Sequence, residues 1–312
     1  MHPYAARVLA VVTAACTLLT SHPSAQSPAP EPLVKVEALV KAGDHTYVIP
    51  DGNIPLVPNV GIVVGTRATL VIDPGLGRRN GEAILREARR LSPTNELFIA
   101  STHFHPEHTT GYVAFPATAK YVNSTTQEEE FEANGAGMIK AFSGRSPLTA
   151  ELLADAVRRR ADVTFDREYA LDLGGVRVRF LVVGPTHTRG DTGLFVENDR
   201  ILFAGDVVMN ESFLAAGPGS SMKAWLAAFD TFAALDPRSV VPAHGAVGPG
   251  TLVAANHALV QAVRDRALAL KTEGRSLDEA AAAVQKEFQE QHPAWPRANG
   301  LGALARSAYE GR

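Results

Sequence analysis

Short apolar runs alternate with segments of helical spacing along most of the chain after residue 33. The runs are rich in β-branched residues and are bounded by Gly, Asp and Pro, which is typical of short strands. Residues 80–91 instead place Ile84, Ala88 and Leu91 on one face, which predicts a helix. Strands are predicted at residues 36–39, 46–49, 61–64, 69–72, 97–100, 119–122, 169–173, 176–183, 192–196, 201–204 and 239–242. The pattern therefore predicts an α/β fold.

Two longer stretches are predicted to be helical. Residues 126–161 are charged and are interrupted around 142–147 by Gly144 and Pro147. Residues 251–309 form the second stretch, with breaks near Gly274 and at 292–296. A further helix is predicted at 222–235, directly before the last strand.

The N-terminus has the pattern of a secretory signal peptide over residues 1–26. Arg7 precedes an apolar run at 8–20, which is followed by small and polar residues. A Pro-rich linker is predicted at 27–34. We therefore expect a periplasmic or secreted protein, with acylation of Cys16 as a lipoprotein anchor the minor alternative.

Composition excludes several classes of partner and site. The chain has 312 residues, 46% hydrophobic and 20% charged, and its net charge of −3 gives no basic excess for nucleic acid. No stable membrane span is expected, because the N-terminal apolar run is too short. Cys16 is the single cysteine and lies in the signal segment, so a metal site in the mature chain must use His, Asp and Glu. A small-molecule substrate is expected, and the oligomeric state is left open.

The densest chemical feature is the segment at residues 102–111, THFHPEHTTG. His103, His105, Glu107 and His108 fall within six residues, directly after the strand predicted at 97–100. Imidazole is the commonest protein ligand for divalent transition metals. Such a cluster at a strand end therefore indicates a metal site.

Four more ligand-type residues follow predicted strands. Asp73 closes TLVIDPG, His187 closes FLVVGPTHT, Asp206 closes ILFAGD, and His244 closes SVVPAHG. Each alone has an ordinary explanation as a turn or loop residue. Together with the histidine cluster they predict one composite site at an edge of the sheets.

These residues, in this order over 36–245, resemble the metallo-β-lactamase superfamily. The resemblance implies a four-layer αββα sandwich over residues 35–250, with a C-terminal helical extension at 251–312 packed on it. It implies a first metal position held by His103, His105 and His187. It implies a second position held by residue 107, His108 and His244, with Asp206 bridging the two and Asp73 orienting the histidine loop from behind.

The chain departs from the family pattern at one position, because Glu107 stands where the family has aspartate. Glutamate keeps the charge but adds one methylene, about 1.5 Å of reach, whereas ligand distances tolerate only about 0.2 Å. Either the backbone adjusts and Glu107 still ligates, or Glu107 acts as a general base. The second metal would then be bound, displaced, weak or absent.

The leading function is an exported zinc hydrolase. Metal-bound hydroxide would attack a carbonyl of a small lactam, lactone, thioester or ester, with Glu107 and Asp206 as the catalytic carboxylates. A subclass that uses a cysteine ligand is disfavoured, because Asp206 occupies that strand end. Two alternatives remain open: a mononuclear-iron oxidoreductase similar to the persulfide dioxygenases, and a metal-binding protein without turnover.

Two segments are candidates for substrate contacts. Residues 126–161 either cover the site, with Met138, Ile139 and Phe142 as apolar contacts, or form a solvated helical hairpin. The loop at 210–221 either presents Asn210 and backbone donors to substrate or is a plain connector.

Overall fold

Two mixed sheets form the centre of the molecule. The computed structural model describes residues 31–217 and 219–312. The first sheet contains seven strands, which pair in chain order. These are β1 (Val40–Lys41), β2 (Thr46–Ile49), β3 (Val60–Val64), β4 (Ala68–Ile72), β5 (Glu96–Ala100), β6 (Lys120–Ser124) and β7 (Val163–Phe165). The strands from β4 to β7 run parallel, so the carboxyl ends of β4 and β5 lie at the same edge.

The second sheet contains six strands in the order β13-β12-β11-β10-β9-β8. They are β8 (Glu168–Asp172), β9 (Arg177–Val182), β10 (Thr192–Val196), β11 (Ile201–Gly205), β12 (Ser239–Pro242) and β13 (Gly248–Pro249). Only β11 and β12 are parallel neighbours, which places their carboxyl ends together.

Eight α-helices cover these sheets in the described part of the chain. They are α1 (Gly77–Leu91), α2 (Pro106–Thr109), α3 (Thr125–Ser143), α4 (Pro147–Leu152), α5 (Met222–Ala234), α6 (Leu252–Thr272), α7 (Leu277–Gln291) and α8 (Asn299–Glu310). Short 3₁₀ turns occur at Val36–Ala38 and Thr110–Ala114.

Three apolar cores separate the layers. Side chains from the facing sides of both sheets, such as Ile72 and Phe203, form the central core. The outer side of the first sheet packs against α1, where Ile84 and Ala88 are buried. The outer side of the second sheet packs against α5 to α8, where Trp225 is fully buried. This arrangement confirms the predicted αββα sandwich with its C-terminal helices.

The strand predicted at 36–39 is wrong. These residues form the 3₁₀ turn and an exposed connection, and pairing begins only at Val40. Val36 is the one β-branched residue of this segment, and glutamate and alanine are depleted in strands. The helical prediction over 126–161 is also too long, because α4 ends at Leu152 and the chain then extends toward β7 beside β6.

The N-terminal predictions fall mostly outside the described residues. The signal peptide at 1–26, Cys16 and residues 27–30 of the linker lie there. Within the described part, Val34 is buried against the first sheet and its N–H donates to Asn80 Oδ1 at 2.9 Å. The packed domain thus includes the last linker position. No helix among residues 31–217 and 219–312 has the length and apolar character to cross a membrane.

Candidate metal centre and adjoining cleft

The predicted ligands converge at one edge of the two sheets. Asp73 follows β4, and residues 103–108 follow β5. His187 lies between β9 and β10, Asp206 follows β11, and His244 follows β12. Because the strands end at the same edge, side chains distant in sequence meet in two groups.

The first group consists of His103, His105 and His187, whose potential ligand atoms all lie within 4.8 Å of one another. His105 Nδ1 lies 3.1 Å from His103 Nε2 and 3.2 Å from His187 Nε2. Nitrogens bound tetrahedrally to zinc at about 2.0–2.1 Å would be about 3.3–3.4 Å apart. The spacing of His105 Nδ1 from the other two nitrogens therefore fits a zinc ion.

The second group consists of Glu107, His108 and His244, again with ligand atoms within 4.8 Å. Glu107 lies in α2, and its Oε1 is 4.0 Å from His108 Nε2. The longer glutamate side chain thus reaches the group that the family pattern assigns to aspartate.

Asp206 lies between the two groups. Its Oδ2 is 3.5 Å from His187 Nε2, and its Oδ1 is 3.9 Å from His244 Nε2. The carboxylate is buried. It is therefore placed to contact metals in both groups, as a bridging ligand would.

Hydrogen bonds assign the tautomers of the ligand histidines. His187 Nδ1 donates to Ala215 O at 2.6 Å, and His244 Nδ1 donates to Val57 O at 3.0 Å, because a carbonyl can only accept. His108 Nδ1 lies 3.1 Å from Asp73 Oδ2 and donates to it. In each ring the proton sits on Nδ1, which leaves the Nε2 lone pair facing the site.

Asp73 holds the histidine loop from behind. Its Oδ1 accepts from Thr102 N at 2.7 Å, and its Oδ2 accepts from Thr102 Oγ1 at 2.9 Å. Thr102 Oγ1 also lies 3.2 Å from His103 Nδ1, from which it can accept. Asp73 adopts φ +56, a left-handed conformation that aspartate tolerates better than most residues. The same carboxylate thus contacts His108 directly and His103 through Thr102, one histidine of each group.

Three buried polar atoms at the site have no hydrogen-bond partner among the described residues. They are Glu107 Oε2, His108 Nε2 and Asp206 Oδ1. Buried polar atoms without partners are uncommon and call for a specific explanation, such as an ion. All three belong to the second group or to its bridging carboxylate, so the residues present fit a second metal ion.

The electrostatics of the site disfavour protonation of His103 and His105 in the first group. Burial lowers the pKa of His103 and His105 well below the usual value, and the neighbouring imidazoles act in the same direction. Burial also opposes ionisation of Asp206, but His244 and His187 outweigh it and lower the pKa of this carboxyl. His103 and His105 therefore present neutral nitrogens and Asp206 presents an ionised carboxylate, which are the forms that bind metal.

The other two charged members of the site behave differently. Burial raises the pKa of the Glu107 carboxyl. Burial lowers the pKa of His108, yet the adjacent Asp73 carboxylate more than offsets it and raises the pKa to about 9. When no metal is bound, a second proton on the His108 imidazole can thus supply positive charge to the second group.

A cleft of about 810 Å³, here called the main cleft, opens onto both groups. Of the predicted substrate contacts, Met138, Phe142 and Asn210 line it, whereas Ile139 does not. Phe142 is buried and packs with Leu76 beneath the cleft wall. The C-terminal part of α3 and the turn after it therefore form one wall of the cleft.

Sequence reasoning missed the side chains that fix the His244 loop. Asp51 Oδ2 accepts from Gly245 N at 2.8 Å, and Asn59 Nδ2 donates to Pro242 O and Gly245 O at 2.8 and 2.7 Å. Asp51 follows β2 within two residues, so the strand-end criterion that found Asp73 would also have found it.

Two residues of α3 were missed as well. Gln127 Nε2 donates to the carbonyls of Ser101 and Thr102 and to Thr192 Oγ1, at 3.0–3.2 Å. Glu130 accepts from the backbone N–H groups of Arg189 and Gly190 at 2.9 and 2.8 Å. Both contacts depend on where the helix packs, so no local sequence signal identifies them.

A protein-family match covers the part of the chain that carries these residues. The Metallo-beta-lactamase superfamily matches positions 53–244, more than half of the chain. A curated relative, acyl-coenzyme A thioesterase MBLAC2 from Gallus gallus, is 26% identical over 194 residues, which is 59% of this chain and 69% of the relative.

Solved structures share the fold at low identity. A metallo-β-lactamase from Pontibacter korlensis superposes with a TM-score of 0.58 at 19% identity, over 72% of this chain and 98% of that one. The sec-alkylsulfatase Pisa1 from Pseudomonas sp. gives a TM-score of 0.63 at 17% identity, over 88% of this chain and 50% of that one. At these identities the likeness shows the fold alone.

Proposed function

Because the chain belongs to the metallo-β-lactamase superfamily and is a metal-dependent hydrolase, we propose that it is an exported zinc thioesterase. The observation that carries the proposal is the convergence of two ligand groups around Asp206 at the floor of an open cleft. The thioesterase among its relatives supports this choice of substrate class.

The second ligand group argues against a mononuclear-iron oxidoreductase. That alternative draws its support from an impaired second site, yet Glu107 reaches His108 and His244 in spite of its extra methylene. The three orphaned buried atoms belong to this group or to its bridging carboxylate. A site with two metal positions favours hydrolysis of an activated carbonyl.

When bound, the metal ions would supply a water molecule of lowered pKa and would polarise the substrate carbonyl. The protein's own part is to hold the ligands in one orientation. Asp73, Ala215 O and Val57 O fix the imidazoles through their Nδ1 protons. Glu107 and Asp206 are the carboxylates inside the ligand groups, so they are the nearest protein sites for a proton released from the attacking water.

A thioester demands least of the proton donors that line the cleft, where Glu107 and Asp206 would carry only the proton taken from the attacking water. The described residues that line it include no lysine, tyrosine or cysteine. The Nδ1 protons of His187 and His244 are already donated to backbone carbonyls. A thiol has a pKa of about 8.5, so a thiolate can leave directly, whereas an amine or alkoxide needs an acid.

A substrate panel with metal analysis tests the proposal. The mature protein is loaded with zinc, its metal content is measured by mass spectrometry, and hydrolysis of thioesters, lactams, lactones and phosphoesters is compared. We expect about two zinc ions per chain and the highest kcat/KM on thioesters. One tightly held iron with persulfide oxidation, or faster hydrolysis of lactams than of thioesters, would replace this function with another.

Export is tested separately, because it rests on residues 1–26 alone. The full-length chain is expressed in a Gram-negative host, and the periplasmic product is examined by N-terminal mass analysis. Cleavage near residue 26 is expected. An acylated N-terminal cysteine would support the lipoprotein alternative instead.

A further inference from the structure

Two arginines line the main cleft without a carboxylate partner. Arg145 lies in the turn between α3 and α4, and Arg297 lies directly before α8. Among residues 31–217 and 219–312, neither guanidinium makes an ion pair within 4.0 Å, although most described arginines have one. Two such cations facing one cleft are suited to bind an anion.

A cation–π contact holds Arg145 in position, and a hydrogen bond to sulfur holds Arg297. The Arg145 guanidinium stacks over the Phe142 ring at 3.6 Å. Arg297 Nη1 contacts Met209 Sδ at 3.2 Å, and its backbone has φ +67. A non-glycine residue in that region is strained and is common at ligand-binding sites.

The chain before Arg297 is fixed by an aromatic cluster. Trp295 stacks on His292 with ring centroids 4.0 Å apart and meets Phe213 edge-on at 5.4 Å. Phe213 N donates to Pro296 O at 3.2 Å. The Arg297 side chain is therefore presented by a packed segment.

The carboxylates that line the rest of the cleft form no ion pair with either arginine. Asp51 accepts from the N–H groups of Asn53 and Gly245, and Glu107 and Asp206 belong to the ligand groups. Glu211 is exposed and makes no ion pair with another described residue. Divalent ions in both groups would add further positive charge to the same cleft.

We propose that Arg145 and Arg297 form an anion-binding pair for phosphate groups on the thiol half of the substrate, an inference that rests on the proposed thioesterase function. A cleft of about 810 Å³ has room for more than a small acyl thiol. The pair would then select phosphate-bearing thioesters over neutral ones through charge-assisted hydrogen bonds.

Matched thioesters test this pair. Acetyl-coenzyme A carries phosphates, S-acetyl glutathione carries only carboxylates, and acetyl-pantetheine is neutral. Each of R145A and R297A should lower the ratio of kcat/KM on acetyl-coenzyme A to that on acetyl-pantetheine by about tenfold, and lysine replacements should restore part of it. R86A, an exposed arginine on α1 outside the cleft, is the matched control.

A binding readout separates this inference from the proposed function. Calorimetry with S-methyl-coenzyme A, which cannot be hydrolysed, should show a weaker Kd in both cleft variants and an unchanged Kd in R86A. An unchanged ratio and Kd would overturn the proposal, and a loss confined to S-acetyl glutathione would assign the pair to carboxylates. If the wild type hydrolyses none of these three thioesters, the proposed thioesterase function itself fails.

A different observation concerns the other half of the substrate. A second cleft of about 680 Å³ runs along α3, with Phe104, Gly137, Met138 and Ala141 as its apolar lining; it is here called the α3 cleft. His105, His187 and Met138 border both clefts, so the two meet at the first ligand group. A carbonyl placed at this junction has one cleft available for each of its two substituents.

We further propose that the α3 cleft binds the acyl chain of the thioester. Its continuity with the first ligand group and the apolar part of its lining carry this assignment, while Glu130, Asn134 and Arg189 line the rest of it. Burial of a methylene stabilises by about 0.8 kcal/mol, which is about fourfold in kcat/KM for each added carbon that the cleft encloses. The kcat/KM should therefore rise with the length of the acyl chain until the α3 cleft is filled.

Gly137 is the position in this cleft chosen for a filling substitution. A Cβ added there would meet no atom of the described residues within 4 Å. G137F should reduce the ratio of kcat/KM on dodecanoyl- to acetyl-coenzyme A by at least tenfold, and G137A should keep the chain-length profile of the wild type. The Kd of S-dodecyl-coenzyme A, measured by calorimetry, should weaken in G137F only. Equal losses on both chain lengths, or a wild type without chain-length preference, would overturn the assignment.

Discussion

Replacement of Asp73 by asparagine should weaken the second metal position and spare the first. The Asp73 carboxylate accepts the Nδ1 proton of His108 at 3.1 Å and two hydrogen bonds from Thr102. Asparagine can keep the bond from Thr102 N through its Oδ1. Its amide nitrogen then faces His108 Nδ1 as a donor, so two donors oppose each other.

The conflict is relieved only if His108 moves its proton from Nδ1 to Nε2. The Nε2 atom then carries hydrogen and cannot ligate. Loss of such an orienting partner typically costs tenfold to a hundredfold in metal affinity, about 1.4–2.7 kcal/mol. The backbone adds no penalty, because asparagine adopts the left-handed conformation at φ +56 at least as readily as aspartate. His103 is spared, because Thr102 Oγ1 can still accept its Nδ1 proton.

Zinc titration of the metal-free protein by calorimetry measures both affinities, and ¹⁵N NMR of the imidazoles reports the His108 tautomer. The matched control is Asp199→Asn. Asp199 is also a buried aspartate and accepts three hydrogen bonds, from Asp44 N, His45 N and Thr46 Oγ1, away from the ligand groups. A second-site Kd within twofold of the wild type, or an equal loss in the control, would refute this reasoning.

Three further substitutions test other parts of the site. Glu107→Asp should lower zinc occupancy of the second position, because the shorter side chain moves the carboxylate about 1.5 Å away from the other two ligands of the group. Unchanged zinc content with a collapse in kcat would identify Glu107 as a general base instead. Gly111→Ala should destabilise the fold by about 1–3 kcal/mol in urea unfolding, because the new Cβ would collide with Pro74 O; no change would mean that the turn adjusts freely. Gln127→Ala should cost about 1–3 kcal/mol by removing the buried hydrogen bonds to Ser101 O, Thr102 O and Thr192 Oγ1. Exposed Gln289→Ala should stay within about 0.5 kcal/mol, and equal effects would contradict the assigned role.

The ligand set could be predicted from sequence because each member obeys a local rule. Asp73, His187, Asp206 and His244 each follow an apolar run, and a run of that kind ends at a sheet edge whatever the rest of the chain does. The sandwich followed from the resemblance that these residues carry. The pairing of individual strands could not be predicted in this way: residues 36–39 have no partner strand, while β7 forms because β6 offers a free edge.

The cleft was much harder to predict, because its walls come from distant segments brought together by packing. Arg297 reaches the site only because the segment before α8 is fixed against Phe213, more than eighty residues earlier. No periodicity or motif distinguishes it from the other arginines of the C-terminal helices. Ile139 was named as a contact and Arg145 was not, since sequence alone does not give the rotation of α3 relative to the site.

The position of α3 links metal binding to substrate selection. Gln127, Glu130, Asn134 and Met138 follow one another at spacings of three or four residues, so they lie on one face of the helix. At about 1.5 Å per residue this face runs about 16 Å, from the strand ends to the junction of the two clefts. Its first two members hold the loops that carry His103 and His187, and its later members line the clefts. A change that rotates or shifts α3 must therefore alter the first ligand group and the substrate preference together. A local change such as G137F should alter the substrate preference alone.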